Sequence, residues 1–584
     1  MECMDLGPIS LRLVSQMLII CYRFQWAKLQ IDQLLSLSCV SDIRDFLGKL
    51  PEDLERAYDE IISQINSEKG RIPEVARRAF LWMMCSRTPL KPGMLAYAAC
   101  QDPETRVTNP IDININIVLE ACRGLLIIDQ SGLCRFSHLS VQEYLETRRY
   151  SNGQAHLVVG TVCLHMLLDS TNWQTLGSPR KDSEDPVGDD KTIFPYTIAY
   201  WPHHVRLHTE KYVDDHLRSL TKEFLGSPKE GSAQYMRWSH EFPKYSKEGF
   251  YLHLSKSSGP AFAVVFFSLN QTLYDWWTHN IDVDSQDDSG RSLLHIAGLV
   301  GNLTAAKGLL DLGANSNIQH KSDGNALYAA ACGGSEGIAS LLLDRGVDIN
   351  AQCGIYGNAL QAAAFQGSEA VVCLLLGRGA SINAQGGQHG NALQAATFSG
   401  NKAIVHLLLD RGASINAQGG YYGNVLQAAA VIGNESTVHH LIDRGADINA
   451  QGGHYGNALQ AAAKRGSEAI VHILLDRGAD INAQGGYYGN ALQAAVSSGS
   501  EAIAHLLLDR GVDINAHASP FGSALQAAVH WGKGEIASLL LDRGADTTRF
   551  KQHLGSCTGC QSLQGLNPLV KQLKLQTSVV ELVL

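Results

Sequence analysis

Nothing in the 584 residues is apolar for long enough to cross a bilayer. The runs Met17 to Cys21 and Phe262 to Leu269 fall far short of the roughly 20 residues a membrane helix needs. The opening stretch MECMDLGPISLRLVSQMLIICYRF has no basic segment and no small-residue cleavage site, so no secretory signal is expected. Positive charge is also short: 47 Lys and Arg face 57 Asp and Glu, a net charge of −10. That balance supplies no basic field for a phosphate backbone or an anionic lipid surface, and predicts no nucleic-acid and no membrane partner. The thirteen cysteines are odd in number and scattered, which fits reduced thiols in a cytoplasmic or nuclear protein better than a secreted disulfide framework. Cys557 and Cys560 form a lone CxxC without the second pair that a zinc ribbon needs. With 45% apolar and 18% charged residues the composition is that of a globular protein, and the length calls for several domains.

What the chain has in abundance is repetition. GNALQAAAKRGSEAIVHILLDRGADIN at 456–482 returns almost letter for letter at 489–515. The capping position of the phrase falls at Asn325, Asn358, Asn391, Asn424, Asn457, Asn490 and Ser523, a constant step (358 − 325 = 33). Ser292, in SLLHIA, lies one step upstream and makes eight copies. A fixed period of this size means a stacked solenoid, and its length resembles the ankyrin repeat. Each copy predicts two helices. Asn caps the first; Leu459, Ala462 and Ala463 give it a narrow apolar face; Gly466 ends it. The second carries Ile470, Val471, Leu474 and Leu475 on its core side. It ends at Gly478, where a positive φ is cheap only for glycine. The resemblance has one departure: the usual T-P-L-H phrase is mostly N-A-L-Q here, so the hydrogen bond between Thr and His is expected to be lost. His440 also breaks pattern, standing where other copies carry Leu374 and Leu407, and predicts a weak joint.

Upstream, helical spacing runs from Leu11 to Leu35, over DIRDFLGKL, from Pro51 (buried face Leu54, Tyr58, Ile61, Ile62), from Pro73 (Ala76, Phe80, Leu81) and around Met94 to Ala99. INIVLEACRG reads as a helix, GLLIID and LCRFSH as a β-hairpin around Gly132, and Ser140 with Glu143 as a capping box for VQEYLETRRY. Helices followed by a hairpin is the order of a winged helix. LPEDLERAYDEII, RAFLWMMCSRTPL, ACRGLLIID and FSHLSVQEYL, in that order, resemble the segment that follows the NTPase domain in fungal NOD-like (NACHT–ankyrin) proteins, and FQWAKLQIDQL resembles the end of that domain. FPYTIAYWPHHVRLH resembles the helical connector that precedes their repeats. The expected organisation is therefore mostly α. A helical remnant of a NACHT domain (1–48) and a winged-helix-like domain (49–150) come first. A helical connector (151–287), an ankyrin-repeat solenoid (288–550) and a tail (551–584) follow.

The resemblance implies a sensor whose repeats recognise a protein partner, but a NACHT domain holds nucleotide through a P-loop. No G-x-x-x-x-G-K-[ST] occurs in this chain, so neither nucleotide nor any other cofactor is expected. The groove-reading helix would offer only Arg123, opposed by Glu120, which is too little for DNA. His203, His204 and His208 lack a convergent carboxylate or cysteine, and the ladder His406, His439, His472 and His505 is one repeat apart; no metal site is expected from either. No nucleophile–base set is recognisable, so the chain is read as a non-enzyme. The candidate protein-binding residues are the second members of the repeat hairpin tips, Tyr356, His389, Tyr422, Tyr455, Tyr488 and Phe521. Tyrosine in a glycine-rich setting is a typical contact residue, and the competing reading is that each ring packs on the neighbouring hairpin. The rival to a sensor is a stand-alone ankyrin scaffold or adaptor.

Overall fold

The computed structural model describes residues 54–105, 114–174, 193–208, 214–245, 258–271, 273–277, 281–518 and 521–547. The helices expected over 11–35 and 42–50, and the CxxC at 557–560, lie outside them. The chain divides into two compact units, Met1–Asp282 and Val283–Leu584.

In the first unit, α1 (Leu54–Ser67) and α2 (Ile72–Cys85) bury the residues the spacing selects: Tyr58 and Ile61 on α1, Ala76, Phe80 and Leu81 on α2. Pro73 sits in the first turn of α2, where its missing N–H removes no helical bond. α3 (Pro92–Cys100) and α4 (Ile115–Ala121) follow, the latter capped by Asn114, whose side chain accepts from the Asn116 N–H. β1 (Leu126–Ile128) and β2 (Cys134–Phe136) then pair antiparallel, Leu126 opposite Phe136. α5 (Leu139–Tyr144) continues into a π-helical turn, Leu145–Arg149. Its cap differs from expectation. His138, not Ser140, occupies the capping position, and its ring accepts from the Ser140 N–H. Ser140 is buried instead, its hydroxyl 2.8 Å from Tyr58 Oη, because the helix starts two residues earlier than the Ser–Glu pair suggests.

A full capping box was overlooked at Ser151 and Gln154, which start α6 (Asn152–Leu168). After α7 (Ser170–Gln174), α8 (Phe194–Leu207) packs along α6. α9 (Asp215–Leu225), α10 (Ala233–Tyr245) and α11 (Pro260–Phe266) complete the unit. Its core is aromatic: Trp201 meets Phe224 at 5.1 Å and Trp238 at 5.7 Å between ring centres, and Trp238 Nε1 donates to the Ile198 carbonyl.

The second unit is the repeat array, eight helix pairs from Leu293–Val300 with Leu303–Asp311 to Ala524–His530 with Gly534–Asp542. The Asn caps form as the pattern requires; Asn424 Oδ1, for example, accepts from the Gln427 N–H at 2.9 Å. Glycine closes each second helix in the left-handed region, with φ 91° at Gly478 and 81° at Gly346. Three ladders tie one repeat to the next. Alanines of the first helices stack on one another, fully buried. Asn383, Asn416, Asn449 and Asn482 each accept a backbone N–H from the following repeat at 2.7–2.8 Å. On the outside, Arg378, Arg444, Arg477, Arg510 and Arg543 pair with the aspartates one repeat back, Asp344, Asp410, Asp443, Asp476 and Asp509. Gly377 interrupts this last ladder, standing opposite Arg411 where other copies carry Asp.

The change from T-P-L-H to N-A-L-Q does not leave the position idle. In the first copy His295 Nε2 lies 2.9 Å from the Gly324 carbonyl of the next hairpin. Gln361, Gln394, Gln427 and Gln460 reach the same carbonyl in their own next hairpins, at 3.0–3.5 Å. Glutamine thus replaces histidine as the buried bridge between repeats.

Candidate functional site

The hairpins between repeats are built to stack tightly. Each closes on itself, as in Gly419 N–H to Gly423 O at 2.8 Å, and each tip then bonds to the tip before it. Gln388 N donates to Ile355 O, Tyr421 N to Gln388 O, His454 N to Tyr421 O and Tyr487 N to His454 O, all at 2.8–2.9 Å. A side chain on Gly453 would lie 2.4 Å from the Gly423 nitrogen, so glycine is what permits this approach. The tips therefore form a continuous hydrogen-bonded edge along the array.

On that edge the two rings of a tip meet edge to face, 5.1–5.2 Å between centres at Tyr421–Tyr422, His454–Tyr455 and Tyr487–Tyr488, but they differ in burial. The second members turn inward. His389 is 2% exposed, Tyr422 6% and Tyr488 9%; Tyr356, Tyr455 and Phe521 are half-buried. They form one aromatic column, with ring centres 5.7 Å apart for Tyr356–His389, 6.1 Å for His389–Tyr422, 6.4 Å for Tyr422–Tyr455 and 6.1 Å for Tyr455–Tyr488. Phe365 and Phe398, from the ends of first helices, insert between them at 4.4–5.1 Å. At the far end Lys464 Nζ sits 4.9 Å from the Tyr488 ring centre, and Phe521 packs on Trp531. Burial pushes the Tyr422 hydroxyl up to about 12 and lowers the His389 imidazole below its usual range, so both stay uncharged near neutrality. Offset aromatic pairs contribute about 0.5–1.5 kcal/mol each beyond their buried area, so the column stiffens the stack.

The first members face solvent. Ile355, Tyr421 and Tyr487 are 46–48% exposed, Gln388 is exposed and His454 half-buried. Tyr421, His454 and Tyr487 are themselves stacked, 4.9 Å and 5.1 Å between successive centres at 16° and 19°. Five of the six rings selected from the sequence, Tyr356 to Tyr488, are thus brought into one buried or half-buried row, Phe521 meets the outer Tyr487 at 5.6 Å instead, and the adjoining row that water reaches was not singled out. The signal was present: a packing position is aromatic or His in every copy, whereas the outer position varies as Ile, Gln, Tyr, His and Tyr.

Other candidates fall elsewhere. His406, His439 and His505 project into solvent from the second helices. His440 is only half-buried, as are Leu374, Leu407 and Ile473 at the equivalent positions, so it interrupts the margin of the interface and not its centre. Its Nε2 has no hydrogen-bond partner, and its ring lies 3.9 Å from that of His406. Arg123 is engaged by Glu68 and Gln64. His204 and His208 do not share a site: His208 Nδ1 lies 3.2 Å from the Gly153 carbonyl, whereas His204 is fully buried. No helix among the described residues is long and apolar enough to cross a membrane.

Comparison with known proteins places the repeats. Residues 262–353 and 425–518 match a family model for three copies of the ankyrin repeat, and 358–387 and 390–420 match that for a single ankyrin repeat. Among curated proteins the chain is similar to the azaphilone pigments biosynthesis cluster protein L of Monascus ruber, 27% identical over 182 residues, covering 27% of this chain. The chain spans 36% of the length of that relative. Among solved structures it is similar to the human ASB11 ankyrin repeat domain at 28% identity and TM-score 0.34, covering 38% of this chain and 99% of that one.

Proposed function

We propose that the ankyrin array of this chain is a recognition surface that holds a protein ligand along its hairpin edge, without catalysis. The observation that carries the reading is the outer row Tyr421–His454–Tyr487, aromatic, exposed at both tyrosines and held in place by main-chain bonds. Rigid rings lose little entropy on binding, which is why tyrosine is enriched among the residues that dominate interfaces. The inner row, Tyr356, His389, Tyr422, Tyr455, Tyr488 and Phe521, supports this surface from behind and adds contact area where it is half-exposed. The order of motifs over residues 51–145 supports a place for the array in a NACHT–ankyrin signalling protein, as its ligand-sensing part. A stand-alone scaffold would use the same edge.

The test separates surface from support. A partner cross-linked to the wild-type chain is identified by mass spectrometry, and its affinity is then measured for two variants. Tyr421→Ala with Tyr487→Ala should weaken binding at least tenfold while lowering the melting temperature less than the inner-row variant does. Tyr422→Ala with Tyr455→Ala should lower the melting temperature. Undiminished binding by the first variant would remove the proposal.

A further inference from the structure

The sequence offered three histidines on α8 without a cysteine to join them. The fold supplies one. Cys85, the last residue of α2, His156 on α6 and His204 on α8 are all buried, and one ligand atom from each lies within 4.8 Å of the other two. His156 Nδ1 and His204 Nδ1 are 2.9 Å apart. Among the described residues this is the one group of three or more such side chains that could close on an ion. The packing around it is close: a Cβ on Gly160, one turn beyond His156, would lie 3.5 Å from the Cβ of His204, which leaves little room for anything larger than a methyl group.

We propose that Cys85, His156 and His204 form a buried site for a thiophilic d10 cation, zinc(II) or copper(I), that joins α2, α6 and α8. Metal–nitrogen bonds of about 2.0–2.1 Å and metal–sulfur bonds of about 2.3 Å put ligand atoms roughly 3.4–3.8 Å apart in tetrahedral or trigonal sites. The two nitrogens need to part by roughly 0.5–0.9 Å, and the sulfur to close by about 1.4 Å at most. The outer partners suit the role. Tyr196 Oη lies 2.9 Å from His204 Nε2, so with Nε2 protonated and donating to the tyrosine, the Nδ1 lone pair points at the ion. Tyr196 is held in turn by the Arg87 N–H at 3.0 Å. Burial lowers His156 to about 4 and holds His204 well below the usual histidine range, so both imidazoles are neutral at pH 7 and lose no proton on binding. His156 only moves its proton from Nδ1 to Nε2. Burial and the neighbouring Cys163 push the Cys85 thiol far up, so without metal it is protonated. Binding exchanges that proton for the metal–sulfur bond, and one H⁺ leaves per ion.

His203 serves as the control. Its ring lies 5.6 Å from that of His156 and 5.5 Å from that of His204, but it is half-buried and outside the convergent set. The experiment uses the full chain, purified under reducing conditions without added metal and assayed by elemental mass spectrometry. It is then stripped with a chelator and reloaded with zinc(II) or, anaerobically, copper(I). The expected result is close to one ion per chain, zinc or copper identifying itself, and a melting temperature raised by several degrees on reloading. Cobalt(II) should give a thiolate charge-transfer band in wild type and in His203→Gln. That band should be absent in Cys85→Ser and His156→Gln. The stripped wild-type protein carries the test even where a variant fails to fold. Less than a tenth of an ion per chain, with no stabilisation by either metal and no cobalt band, overturns the proposal and leaves a hydrogen-bonded histidine pair.

Discussion

Replacing Gln427 tests how the repeats are joined. Its side chain is fully buried, and Nε2 donates to the Ala450 carbonyl at 3.3 Å and the Gly456 carbonyl at 3.1 Å in the next hairpin. Gly456 O also accepts from Gly452 N at 2.8 Å, so it keeps one partner when Gln427 is lost. Alanine therefore removes one or two hydrogen bonds with a net value of about 0.5–1.5 kcal/mol each. It also removes a buried methylene worth about 0.8 kcal/mol. The expected loss is about 2–3 kcal/mol at this joint. Histidine behaves differently. In the first copy His295 makes the same bridge with Nε2 and places Nδ1 2.8 Å from its own capping hydroxyl. Gln427 by contrast leaves Oε1 buried without a partner. Gln427→His should retain most of the wild-type stability, and Gln427→Ala should not. Urea unfolding followed by circular dichroism gives the totals, and hydrogen exchange around Gly456 locates them. An alanine variant as stable as wild type, or a histidine variant that falls as far as alanine, refutes the bridging argument.

Three further substitutions follow from the same frame. Gly377→Asp restores the missing rung opposite Arg411; because the existing pairs are half-exposed, the expected gain is about 0.5–1 kcal/mol from helix propensity and the ion pair together, read as a higher urea midpoint. His440→Leu removes a nitrogen buried without a partner, and at a half-buried position should raise stability by about 0.5–1 kcal/mol; no change or a fall would count against it. His389→Tyr bears on pH. Burial lowers the folded-state pKa of His389, so the unfolded chain binds the extra proton first, and the stability this group contributes is present above about 6.5 and is lost as pH falls below it. The tyrosine variant should therefore lose less stability than wild type between pH 7 and 5 in thermal unfolding; equal slopes would contradict this.

The repeat fold was legible because one phrase states caps, apolar faces and terminating glycines eight times, and each of these is a local requirement. The tip residues were harder. Glycine-rich context and aromatic identity marked the hairpin edge, but which of two adjacent side chains turns inward depends on the neighbouring tip's main chain. The same holds for glutamine in place of histidine: the capping role is visible within one copy, whereas the bridge to Gly456 is made 29 residues away. Cys85, His156 and His204 show the limit most plainly, since only the packing of three helices brings them together. At Ser140 the expected capping box does not form, because the His138 ring takes the capping position two residues earlier.

Binding of the cross-linked partner by the Tyr421→Ala, His454→Ala, Tyr487→Ala variant tests the central claim most directly. The account predicts at least a tenfold loss of affinity with a smaller fall in melting temperature than Tyr422→Ala with Tyr455→Ala, since the inner rings are the more deeply buried. Wild-type affinity in that variant would contradict it.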